Sequence, residues 1–444
     1  MSGSTNNGLR ISARKTTTNN VAPIHPSGDS MLDRFDKQRL AAYMQVILLA
    51  LAASVIYSAP YLRQLFKTSL LDAFSLTEIQ LGNLSTMYAI CSIICYIPGG
   101  WLADRVAPRI LVIIALFTSA GTYAWWATIP SYSELLIIHG LWGVIGVGIL
   151  WAAMFKHLRL LAGGDEQGRM FGTLEGARGL FEAILLTVAT FVFGLFATRK
   201  LGMINVIIIY TVFAAGLGVI MLFMKGVSGS SRDTASEKIH LADVLLILKQ
   251  PTIWLLCVIL TAVYHIFWAT IEFPSFAETG GFAIPLAAAT ALGATKLWMR
   301  PFGGVFAGML GDQIGNVRMM ELLFIGGIMG CGYLALVPTI PDLAWTLWVF
   351  IFPFGLLAYG LRGVFWALLY ECPVPTRVLG TSIGFISIIG YSSDAYIPQV
   401  SAYLQTNYDT GPAYQLFFAY VGFAAVIGLI ASWMLGRITR ARTR

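Results

Sequence analysis

Apolar and polar positions alternate along this chain in long blocks rather than residue by residue. A helix needs about 20 apolar residues to cross the hydrocarbon of a bilayer. Twelve runs reach that length, near 40–62, 80–102, 108–128, 133–155, 170–196, 202–224, 251–272, 285–308, 318–337, 343–366, 379–402 and 413–436. The longest polar interruption between them is 225–250, which divides the runs six and six. Residues 1–38 are rich in Ser, Thr, Asn and Gly and lack the apolar core of a signal peptide. The pattern predicts an all-α membrane protein with twelve transmembrane helices in two pseudo-symmetric six-helix bundles. The expected parts are a disordered tail (1–38), a bundle (39–224), a linker (225–250), a second bundle (251–436) and a basic tail (437–444).

Composition agrees. The 444 residues are 57% hydrophobic and 11% charged, against about 25% charged in soluble domains, and the mean hydropathy is +0.74. The formal charge of +7 resembles a nucleic-acid signal, but its distribution gives it another meaning. With the N-terminus inside, 21 of the 29 Lys and Arg residues fall in cytoplasmic segments. The opposite side holds only Arg63, Lys67, Arg199 and Lys200. That asymmetry places both termini and the linker in the cytoplasm of an integral membrane protein, with a bacterial inner (plasma) membrane the expected location. The positive charge is topological and predicts no nucleic-acid partner. None of the five cysteines has metal-ligand spacing with histidines, no nucleophile–base pattern suggests an enzyme, and no cofactor is expected.

Seven charged residues interrupt the apolar runs: Glu175, Arg178, Glu182, Lys296, Arg300, Arg362 and Asp394. A charge at bilayer depth costs about 3 kcal/mol on insertion scales, so such groups face a protein interior or a wet path. Glu175, Arg178 and Glu182 share one helix face, as do Lys296 and Arg300. Static salt bridges between helices would explain them; substrate and proton handling is the other reading.

An internal repeat is also present. Gly100-Trp-Leu-Ala-Asp104-Arg105 after the second run is echoed by Gly308-Met-Leu-Gly-Asp312-Gln313 after the eighth. Trp151-Ala152 with Arg169, Gly172 and Thr173 is echoed by Trp366-Ala367 with Arg377, Gly380 and Thr381. With this duplication on a six-plus-six plan, the chain resembles the major facilitator superfamily of secondary transporters. Gly100, Leu102, Asp104, Arg105 and Arg109 match that family's loop motif between spans two and three, and Gly308, Leu310, Asp312, Gly315 and Arg318 form a degenerate copy. The resemblance implies a gating role for Gly100, Asp104, Arg105, Arg109 and Asp312. The glycine would allow close helix approach. Asp104 would receive the N-terminus of the eleventh span, with Arg105 and Arg109 fixing it.

The chain departs from the family's drug-antiporter and sugar-porter motifs: span five carries no proline and 222–235 no Pro-Glu-Ser-Pro motif. His139 stands near the usual span-four arginine. At 1.5 Å per residue, Glu175 and Glu182 lie about 9 and 20 Å, and Arg300 and Lys296 about 12 and 18 Å, from the cytoplasmic ends of their spans. Spans five and eight face each other in the family, so Glu175 is expected opposite Arg300 and Glu182 opposite Lys296. Arg178, Lys296 and Arg300, with Tyr264, Trp298 and Tyr391, are the expected substrate lining. Glu175, Glu182 and Asp394 are the expected proton-coupling groups. Alternating-access, proton-coupled symport of a small organic anion by a monomer is the leading expectation. A polyspecific exporter of hydrophobic compounds and a transport-inactive receptor or scaffold of the same fold are the alternatives.

Overall fold

A computed structural model describes residues 31–161, 167–224, 247–372 and 379–443. Residues 1–30, the linker residues 225–246 and the junction residues 373–378, including Arg377, lie outside the described residues. So do the side chains of Arg169, Gly172, Gly380 and Thr381. The first helix already begins at Met31, inside the stretch expected to be disordered. Residues Ala42–Arg444 form one compact unit. Every regular element among the described residues is helical.

Ten helices are individually long and apolar enough to cross a membrane. The remaining two of the twelve spans are each built from two helices. The eighth comprises Leu286–Trp298 and Arg300–Ile314, and the eleventh comprises Leu379–Tyr391 and Ser393–Asn407. Each break has a local cause. Pro301 supplies no amide to the Leu297 carbonyl, and the backbone at Met299 bonds back to Lys296 over three residues instead (3.1 Å). At the second break the Ser392 and Ser393 hydroxyls donate to the Ile389 and Gly390 carbonyls (2.6 and 2.7 Å), satisfying the end of the preceding helix.

Two further spans are irregular. The first helix, Met31–Ser58, is followed by a 3-10 turn at Ala59–Tyr61, which contains Pro60, and by a buried helix Arg63–Ala73. Span four widens into a π-helix over Val144–Trp151, between Tyr132–Gly143 and Ala152–Leu161. Such segments redirect carbonyls and recur at functional sites. Here the Tyr57 hydroxyl donates to the Gly146 carbonyl (2.6 Å).

The buried apolar residues fall into two large clusters. One draws on Ala42 to Met221, with Leu297 as its single member from beyond the linker; the other draws on Ile247 to Leu435. Tyr61 packs against both. Each half thus has its own core, and span eight and the bend of span one cross the divide.

The gating motif differs from expectation in its close contact. A Cβ at Gly100 would meet nothing within 4 Å, whereas one at Gly99 would lie 2.8 Å from the Val147 carbonyl. Gly99 is therefore the residue that admits the second span, Glu78–Arg105, to the π segment. Nor do the arginines fix Asp104. Arg105 folds back over the Trp101 ring (4.0 Å), and Arg109 donates to the Met221 and Leu222 carbonyls at the end of span six. Asp104 is 67% exposed, with Lys156 of the same half 3.9 Å away. Asp312 is exposed.

Candidate functional site

Charged side chains gather at two levels of the interface between the halves. Toward the end where spans one and two join, the helix Arg63–Ala73 lies against span seven, Pro251–Thr279. Arg63 and Lys67 donate to the two oxygens of Glu272 at 2.7 and 2.9 Å, all three groups buried. Lys67 also meets Glu78 at 3.1 Å and the Tyr414 hydroxyl at 3.2 Å. Beside them, Glu278 takes Arg199 at 3.0 Å and Thr68 at 2.6 Å. Gln399 of span eleven donates to Asn83 and Thr86 of span two, both at 2.9 Å, and Thr86 donates to the Ala395 carbonyl at 2.6 Å. This end, called here the Lys67 end, is closed by ion pairs and hydrogen bonds. Sequence reasoning missed it, because Arg63 and Lys67 read as loop cations and Glu272 went unremarked inside an apolar run. The signal was available in the spacing of Arg63 and Lys67, four apart and on one helix face.

The middle level holds the groups expected from the sequence. Glu175 and Glu182 lie on span five, within the helix Gln167–Gly194. Arg178 pairs with Glu175 at 2.5 Å and stacks over Tyr57. Arg300 pairs with Glu182 and lies 3.9 Å from Glu175. A Cβ at position 179 would press on the Arg300 side chain at 3.2 Å, so Gly179 leaves room for that cation beside span five. The expected approach of Glu175 to Arg300 is present. Glu182, however, meets Arg300 rather than Lys296, because the break at Met299 turns the two cations apart.

Lys296 itself is 0% exposed. Its amine donates to the Gln64 side-chain carbonyl (3.2 Å) and to the Thr270 backbone carbonyl (2.9 Å), away from the arginines. Trp298 donates to Thr187 of span five (3.1 Å). Asp394 is buried and accepts from the Tyr61 hydroxyl (2.7 Å) and the Trp268 indole (2.6 Å), which ties spans one, seven and eleven together.

Tyr264 and Tyr391 do come together, their ring centroids 4.7 Å apart. They frame a group whose role the sequence had not assigned. Arg362, on span ten within Ala344–Glu371, lies over the Phe267 ring (4.5 Å) and beside the Tyr264 ring (5.4 Å), with the Tyr264 hydroxyl 3.4 Å away. Among the described residues it has no carboxylate partner. The histidines serve packing: His139 bonds the Leu135 carbonyl against Trp142, and His265 bridges the Thr261 carbonyl to Tyr420. No group of residues that could hold a metal occurs among the described residues.

The family model described as Major Facilitator Superfamily matches residues 40–398. Inner membrane protein YihN of Escherichia coli (strain K12) is 25% identical over 87% of this chain and 94% of its own length, and inner membrane protein YqcE of the same organism is 23% identical over 90% and 96%. Among solved structures, the D-xylose–proton symporter superposes with a TM-score of 0.70 at 16% identity, covering 90% of this chain and 97% of its own. The nucleoside transporter NupG gives 0.69 at 12% identity, covering 89% and 98%. Two six-helix cores meeting over buried charge, broken helices at that meeting and a family match over most of the length agree: the chain is an integral membrane protein of the Major Facilitator Superfamily, a transporter of small molecules and not an enzyme.

Proposed function

We propose that this transporter carries a small organic anion in symport with protons, as a monomer in a bacterial inner membrane. The observation that carries the anion reading is Arg362, a cation at the middle of the interface with two ring faces and a phenol around it but no carboxylate. Arg178 and Arg300 have their glutamates; Arg362 lacks one among the described residues. An unpaired charge at membrane depth is costly, and a carboxylate, sugar acid or phosphate ester bound between the guanidinium and the Tyr264 and Tyr391 hydroxyls relieves that cost. Discontinuous helices at mid-membrane commonly mark transporter sites, and both breaks here lie among these groups. The excess of Lys and Arg supports an arrangement with the Asp104 end, opposite the Lys67 end, facing the cytoplasm. The relatives' naming as inner membrane proteins supports that membrane.

Purified protein warmed in the presence of single metabolites tests the reading. A bound ligand raises the melting temperature, with a stabilisation that grows as RT ln(1 + L/Kd) at free ligand concentration L. Carboxylates, sugar acids or phosphate esters should stabilise the protein and neutral sugars should not, and Arg362→Gln should sharply reduce the shift at the same ligand concentration. Equal stabilisation by neutral compounds, surviving Arg362→Gln, would defeat it.

A further inference from the structure

Two lysines in this protein are buried to the same degree and meet opposite surroundings. Lys67, 2% exposed, faces two carboxylates and a phenol. Such a shell suits an ammonium, whose three N–H donors and positive charge need acceptors and counter-charge. Lys296, 0% exposed, faces two neutral oxygens. A neutral amine has two N–H donors, and two acceptors are what this shell supplies. An ammonium here would leave one donor without a partner and its charge without a carboxylate, since among the described residues Lys296 has no ion pair.

The Thr270 acceptor exists because of Pro274. Residue 274 lies four positions on in the same helix and carries no amide hydrogen, so the Thr270 carbonyl lacks its helical donor. The Lys296 amine takes that place. The other acceptor, Gln64, belongs to the helix that follows the bend of span one. Lys296 itself lies in the last turn of the first helix of span eight, just before the break at Met299. The amine therefore joins three segments that cross or flank the boundary between halves, each at a point where its helix is interrupted.

We propose that Lys296 is the proton-carrying group of the transport cycle, neutral in the conformation seen here and protonated in the one open at the Lys67 end. The step balances simply: the amine lone pair takes a proton from water admitted at the Lys67 end, giving –NH3+, and the same proton returns to water on the other side when this conformation re-forms. Protonation removes the fit to Gln64 and Thr270 and places an unpaired cation in a dry site, which disfavours the closed Lys67 end. Among the described residues, the charged groups within electrostatic reach are Glu182 of span five and Arg362 of span ten. Glu182 is held by Arg300 of span eight. On span seven Glu272 is held by Arg63 and Lys67, the neighbours of Gln64 on either side along span one's extension. Glu182 is thus the carboxylate toward which a released ammonium turns.

The inference rests on the transport reading, but its test needs no substrate. Full-length protein with Cys91, Cys95, Cys257, Cys331 and Cys372 replaced carries one new cysteine by Thr86→Cys, a position closed against Ala395 in this structure. Maleimide labelling is followed from pH 5 to pH 9 and normalised to a cysteine at exposed Tyr408, which cancels the reagent's own pH dependence. Labelling should rise as pH falls, about tenfold per pH unit on the alkaline side of a single midpoint, as one linked proton requires. Lys296→Met and Lys296→Gln should label slowly at every pH, and Lys296→Arg, permanently charged, rapidly at every pH. Should one of these variants fail to fold, the other two carry the test. A flat wild-type profile, or a wild-type profile retained in Lys296→Gln or Lys296→Met, would overturn the proposal. A failed anion screen would leave it standing, and a flat pH profile would leave the anion site standing.

Discussion

The Lys67 end and the middle level hold similar inventories of charge and solve opposite problems. At the Lys67 end these cations have their acids: buried Arg63 and Lys67 share Glu272, Glu78 adds to Lys67, and half-exposed Arg199 meets Glu278. At the middle level Arg178 and Arg300 are paired, while Arg362 and Lys296 have no carboxylate partner among the described residues. A fully paired cluster resists change, because breaking it exposes several charges at once. An incompletely paired one has room for a ligand or a proton. On the proposed reading the first serves as a closure between halves and the second as the place where binding energy enters.

The comparison is broken most forcefully at Glu272. Glu272→Gln leaves Arg63 and Lys67 buried without their shared carboxylate, and the loss should be about 3–5 kcal/mol of stability for the closed state. A fall in melting temperature and rapid labelling of Thr86→Cys would both report it. Adding Lys67→Met and Arg63→Met to Glu272→Gln should recover much of the stability, because apolar replacement of a whole buried ion cluster is often neutral. If the single variant melts like the wild type, the closure is not held by this cluster.

At Arg362 the expected effect is smaller and of another kind. Arg362→Gln should weaken an anion by about 2 kcal/mol, roughly 30-fold in affinity, without lowering the melting temperature of the ligand-free protein. Isothermal titration of the anion identified by screening measures it. A variant that instead unfolds early would make Arg362 a packing residue like the cations of the Lys67 end.

Tyr57→Phe removes one hydrogen bond to the π segment and should cost about 1 kcal/mol, read as a modest drop in melting temperature. Asp104→Asn should change stability least, since the carboxylate is exposed and its lysine lies at 3.9 Å. It should still slow transport into reconstituted vesicles if Asp104 meets a helix N-terminus when the opposite conformation forms. Unchanged uptake would remove it from the gate.

The apolar blocks, the six-and-six division and the duplicated Gly100–Arg105 and Gly308–Gln313 motifs are local properties of the chain. They sufficed for the family and for the architecture, because a span must satisfy its own backbone and so announces itself by length and composition. The same locality exposed the seven charges set within apolar runs. Pairing was another matter. That Arg300 takes Glu182, that Lys296 turns to Gln64 and Thr270, and that Arg63, Lys67 and Glu272 close one end are facts of tertiary structure. They depend on Pro301 breaking span eight, on Pro274 freeing a carbonyl and on the bend at Pro60 carrying span one into a buried helix. Each proline is visible in the sequence, but the direction in which a broken helix resumes is set by what it packs against, and so the partners of these charges were decided only when the two halves met.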